Sequence, residues 1–132
     1  MKILIYINSD QNFKKIHRLG GIEILNYLLF KYLKTKHYVV LQNYVNKQIK
    51  KTKWDIVISS NDANIFSLTH SSRKILWLHN KLQIEKAYRK KQLIPILTNN
   101  IETVFVSEYL NQNTSRIYNF KKRLVIPNFL SP

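Results

Sequence analysis

No cysteine occurs in the 132-residue chain, which excludes disulfide frameworks, thiolate zinc sites and cysteine nucleophiles. Glycine is almost as scarce, with only two, Gly20 and Gly21. Neither a GxGxxG dinucleotide fingerprint nor a P-loop lysine motif is present. Apolar runs are all far shorter than the roughly 20 residues that span a bilayer. The opening "MKILIYINSD" has polar Asn8 and Asp10 where a signal peptide would carry small residues, so it reads as a first strand and the chain as cytoplasmic. Acidic residues are few: 7 Asp and Glu face 22 Lys and Arg, a formal charge of +15. That excess suits an anionic partner, whether nucleic acid, anionic lipid or a phosphorylated small molecule. Its bland source is a composition rich in Lys, Ile and Asn.

What is present is apolar residues, 45% of the chain and evenly spread, enough for one domain over residues 1–132 with a real core and no disordered tail. Runs rich in β-branched and aromatic residues recur at Lys2–Asn8, His37–Gln42, Trp54–Ser60, Lys74–His79, Thr103–Ser107 and Arg123–Pro127. "KILIYI", "HYVVL", "DIVIS" and "KILWLH" are continuous and not alternating, as strands covered on both faces should be. Helical spacing falls between them, clearest at Ile22, Leu25, Leu28, Leu29, Tyr32 and Leu33, with Asn26, Lys31 and Lys34 expected to turn away. A short helix is expected over "NDANIFSLTH", one or two helices over "KLQIEKAYRKKQLIPILTNN", and another after Ser107, a candidate N-cap followed by Glu108. Alternating strand and helix predict a doubly wound α/β fold: a parallel sheet of about six strands with helices on both faces.

The glycine pair stands between the first strand and the first helix. In an open parallel sheet that loop lies at the carboxyl edge, where such folds bind ligands. Glycines there let backbone approach a ligand, and a helix start offers N–H groups to phosphate. A plain flexible turn is the other reading.

The order of segments, with "GGIE" opening the first helix, "HYVVL", "WDIVISSN", "KILWLHN", "TVFVSEYL" and finally "RLVIPN", resembles the amino-terminal domain of retaining family 4 glycosyltransferases, Rossmann-like and one half of a two-domain GT-B fold. The resemblance covers Met1 to about Asn128 and rests on the set, no single motif being decisive. It implies hexosyl transfer from a nucleotide sugar, the donor substrate, to a sugar or lipid-linked acceptor, with no further cofactor. It implies that Gly20 and Gly21 approach the donor diphosphate and that His79 faces the donor sugar as the catalytic residue. Ser107 to Leu110 match the helix start after the fifth strand, and Pro127 and Asn128 the point where the chain crosses to the second half. The donor-binding half, with its basic pair and Glu-x7-Glu motif, has no counterpart in this sequence. Turnover is therefore expected to need a second domain or chain.

The other candidates are weaker. His17 and Arg18 precede the glycines and Asp62 follows the third strand, so these and Ser107 are candidate acceptor or cleft residues. His37 is expected to be structural, His70 gives no signal, and no histidine and carboxylate spacing resembles a metal site. Basic residues gather at Lys47, Lys50, Lys51 and Lys53, at Lys81, Lys86, Arg89, Lys90 and Lys91, and at Lys121, Lys122 and Arg123. In the second group Ile84, Ala87 and Tyr88 share a helical face, as in a peripheral helix on an anionic membrane; a solvated helix is the alternative. Against the glycosyltransferase reading stand a non-catalytic basic module that binds nucleic acid through lysines and tyrosines, and a degenerate interaction-only domain.

Overall fold

A computed structural model describes residues 1–8, 21–80, 100–115 and 122–127. The first strand, β1 (Lys2–Ile7), buries Ile3, Leu4, Ile5 and Ile7. Both of its faces are covered, which is why its sequence shows no polar alternation. After it come α1 (Gly21–Leu33), β2 (Tyr38–Gln42), α2 (Lys47–Lys51), β3 (Lys53–Ser60), α3 (Ile65–Leu68), β4 (His70–Leu78), β5 (Ile101–Phe105), α4 (Glu108–Ser115) and β6 (Lys122–Val125). The strands form one sheet in the order β2-β1-β3-β4-β5-β6, every pair parallel. The α/β fold with a six-strand parallel sheet is thus as expected.

Two apolar layers lie against the sheet. On one face Leu4, Val57, Leu76, Leu78 and Phe105 pack with Ile49 of α2, Ile65 and Phe66 of α3 and Leu110 of α4. On the other, Ile3, Ile5, Ile56 and Ile58 pack with Leu29, Phe30 and Leu33 of α1. The helices of the described residues therefore cover both faces. Full burial of a Leu, Ile or Phe side chain is worth about 1.5–3 kcal/mol each, so these two layers carry much of the stability. Among the described residues no helix is long and apolar enough to cross a membrane.

The sequence expectation errs in α1. Asn26, expected to face solvent, is 0% exposed, and Tyr32, expected on the apolar stripe, is 71% exposed. The inward side carries buried Leu25 and Asn26 together with Leu29, Phe30 and Leu33, so Leu25, Leu29 and Leu33 are as expected, while Asn26 occupies an inward position because its amide has buried partners. Helix α2 was anticipated only as a basic cluster. Asn46 caps it, its Oδ1 accepting from the Ile49 N–H at 2.8 Å, and the buried Trp54 indole donates to the Ile49 carbonyl at 3.1 Å. Strand β4 begins at His70, four residues before the expected Lys74, since "HSSR" pairs with β3 through backbone although its side chains are mostly exposed. In the short helix α3, Ile65 and Phe66 are buried and Leu68 is 41% exposed.

Candidate functional site

The strand order reverses at β1, which has β2 on one side and β3 on the other. The chain leaves β1 for α1 on one face and returns to β3 through α2 on the opposite face. Connections diverge at such a point and leave a crevice at the carboxyl ends of the strands. A pocket of ≈ 150 Å³ lies there, lined by Ile7 and Asn8 at the end of β1, Ile22 and Glu23 in the first turn of α1, and Ser60, Asn61 and Asp62 at the end of β3.

The segment "SSND" that closes β3 is built for this place. Asn61 takes φ 58°, a left-handed conformation that Asn adopts more readily than most residues. Its N–H donates to the Trp77 carbonyl at 3.0 Å. Its side-chain oxygen accepts from the N–H groups of His79 at 2.9 Å and Asn80 at 3.4 Å, and its amide nitrogen donates to Asn80 Oδ1 at 2.9 Å. One side chain thereby fixes the end of β4 to the end of β3. Ser59 Oγ donates to the Asp62 carbonyl, and the two carboxylate oxygens of Asp62 accept from the Asn64 N–H at 2.9 Å and Asn8 Nδ2 at 3.1 Å. Burial, helped by the nearby Asp62 charge, pushes the Tyr6 phenol above its usual value.

Beside the pocket runs a polar chain. Asn26 Nδ2 donates to the Ile22 carbonyl at 2.9 Å and to Ser60 Oγ at 2.9 Å. Ser60 Oγ stands 3.1 Å from His79 Nε2, and the His79 ring tilts against Trp77 with centroids 4.4 Å apart. Burial pushes the His79 imidazole down to about 4, opposed by the charge of Glu23, so it is neutral at pH 7. An imidazole of this kind can exchange hydrogen bonds with a ligand but is a weak base.

Set against known protein families, curated proteins and solved structures, the chain has no match.

The sequence candidates divide three ways. Asp62 lines the pocket and His79 adjoins it through Ser60. Gly21 opens α1 next to the pocket residues Ile22 and Glu23. Its φ is not positive, and a Cβ there would meet nothing within 4 Å, so the protein's own geometry does not require glycine at this position. Ser107 has a structural duty: its Oγ accepts from the Leu110 N–H at 3.1 Å and caps α4, and it does not line the pocket. Gly20, His17, Arg18, Lys81, Lys86, Arg89, Lys90 and Lys91 lie outside the described residues. His37 and Asp55 sit at the opposite edge of the sheet, where Asp55 accepts from the Lys2 N–H at 2.7 Å.

Sequence reading missed Asn8, Asn26, Ser60 and Asn61. For Ser60 and Asn61 a signal existed, since a buried strand that ends in consecutive polar residues must satisfy them there. Asn26 also left a trace, a lone amide three positions before Leu29 and four before Phe30.

Proposed function

We propose that the chain is the acceptor-side half of a glycosyltransferase that moves a hexosyl group from a nucleotide sugar to a sugar or lipid-linked acceptor. The observation that supports it is the crevice at the strand reversal, where the first turn of α1, the polar end of β3 and His79 meet. The order of motifs in the sequence points the same way. Such a transfer breaks the bond between the anomeric carbon and the diphosphate and forms one to an acceptor hydroxyl oxygen, whose proton passes to the departing diphosphate. Positive charge develops on the sugar ring and negative charge on the leaving diphosphate. The positive end of the α1 dipole favours the diphosphate, while Glu23 in the first turn opposes an anion and favours the electron-poor ring. Neutral His79 contributes a hydrogen bond to the sugar. A second domain or chain would complete the donor site.

Saturation-transfer NMR against a panel of nucleotide hexoses and free sugars tests this. Signals from the sugar and diphosphate ends of at least one nucleotide hexose are expected, with binding weakened about tenfold in His79→Ala, the loss of one hydrogen bond in a desolvated site. A panel without a binder, or binding that ignores His79→Ala, would defeat the proposal.

A second reading has its own observation. Lys2, Lys34, Lys36 and Lys53 surround one open depression at the amino edge of the sheet, beside Tyr38 and with Asp55 the one acid lining it. A basic module binding nucleic acid would use that edge and leave the crevice empty. Its mark is oligonucleotide affinity that falls steeply with salt and is unaffected by His79→Ala.

A further inference from the structure

The hydrogen-bond distances along the polar chain favour one direction. Asn26 Nδ2 carries two hydrogens, and two acceptors stand 2.9 Å away, the Ile22 carbonyl and Ser60 Oγ. Asn26 therefore donates to Ser60, whose own hydroxyl hydrogen must go elsewhere. Two acceptors are within reach: His79 Nε2 at 3.1 Å and Asn26 Oδ1 at 3.3 Å. The second is the longer bond and returns to the amide that already donates, which makes His79 Nε2 the better placed acceptor. A nitrogen that accepts carries no hydrogen. The imidazole hydrogen then resides on Nδ1, for which the described residues provide no partner.

We infer that Asn26 and Ser60 are positioning residues that hold His79 as its Nδ1–H tautomer, so that the ring offers a hydrogen-bond donor to a ligand oxygen and removes no proton from it. The ligand clause rests on the glycosyltransferase reading, the oxygen being a sugar hydroxyl or a phosphate oxygen of the nucleotide sugar. Other features agree with this orientation. Trp77 packs against the ring, and the backbone N–H of His79 is tied to Asn61 Oδ1 at 2.9 Å, so the residue is held from three sides. Among the described residues the charge that acts on the ring is that of Glu23 on α1, while the Asp62 carboxylate, which lines the same pocket as Ser60, is occupied by Asn8 and Asn64. The neutral ring follows from burial, which outweighs Glu23. Ser60 is also excluded as an activated nucleophile, because it is 4% exposed and its base is too weak to take the hydroxyl proton at pH 7.

Two-bond nitrogen–proton NMR on the ¹⁵N-labelled full chain reads the tautomer directly, since the ring carbon hydrogens couple differently to a protonated and an unprotonated nitrogen. The chain has four histidines, and the signals missing from His79→Gln assign the set. At pH 7 His79 should be the Nδ1–H form by about tenfold, the weight of one buried hydrogen bond. Ser60→Ala should abolish that preference and Ser60→Thr, which keeps the hydroxyl, should restore it. A wild-type ring in the Nε2–H form, or a protonated ring, overturns the inference without need of any variant. The ligand clause is read separately by adding a methyl hexoside or inorganic pyrophosphate. Movement of the Nδ1 signal with the first assigns the oxygen to a sugar hydroxyl, and with the second to the diphosphate. An Nδ1–H ring that responds to neither, nor to the nucleotide hexoses, overturns the ligand clause and the glycosyltransferase reading together, while the tautomer assignment stands on its own result.

Discussion

His79 shows how burial at a single residue sets a pH response. Its value in the folded chain, about 4, lies below the ordinary 6.5, so between these values the unfolded chain binds a proton that the native chain refuses. The stabilising contribution is complete above pH 6.5 and is lost as pH falls towards 4. Urea midpoints measured from pH 7.5 to 4.5 should fall across this window, and the His79→Gln profile should be flatter than the wild type. Gly21 makes a contrasting case. Because its φ is not positive and a Cβ would meet open space, Gly21→Ala should leave the fold intact or raise stability by about 0.5–1 kcal/mol, as the unfolded chain loses freedom. The same variant should weaken nucleotide-sugar binding if backbone there approaches the diphosphate. His79 and Gly21 were both legible in the sequence, as the end of an apolar run and the start of a helix. The Asn26–Ser60 link was not, because those residues are 34 positions apart and no local pattern pairs them.

Among the elements, α4 gives the clearest separation of structural from functional duty. Ser107 Oγ accepts from the Leu110 N–H, and loss of such a cap costs about 1 kcal/mol. Ser107→Ala should lower the thermal midpoint accordingly and Ser107→Asp should retain it, with ligand binding unchanged in both. A residue that served only as an acceptor contact would show the reverse. The strands were legible because burial on both faces leaves continuous apolar runs, and their ends were less so. His70 to Arg73 join β4 by main-chain pairing, which polar side chains conceal. In α1 the expectation holds for Leu25, Leu29 and Leu33 and fails at Asn26 and Tyr32 for a physical reason: apolar residues at 22, 24, 25, 28, 29, 30 and 33 surround much of the helix. The buried amide at 26, not the hydrophobic count, shows which stripe meets the sheet.

At the scale of the whole molecule, the two edges of the sheet differ in character. The carboxyl edge gathers Asn8, Glu23, Ser60, Asn61 and Asp62 around a pocket, and the amino edge gathers Lys2, Lys34, Lys36 and Lys53 around an open depression. Strand order was not in the sequence, since only pairing places β1 between β2 and β3 and so sites the crevice between β1 and β3. Charge by itself favoured an anionic partner without saying at which edge. Amide shift mapping on the ¹⁵N-labelled chain, titrated with the nucleotide hexose that binds best, locates the site directly. Shifts gathered on Ile7, Asn8, Gly21, Ile22, Glu23, Ser60, Asn61, Asp62 and His79 are the result that the acceptor-half reading predicts; shifts gathered on Lys2, Lys34, Lys36 and Lys53, and reproduced by an oligonucleotide, would contradict it.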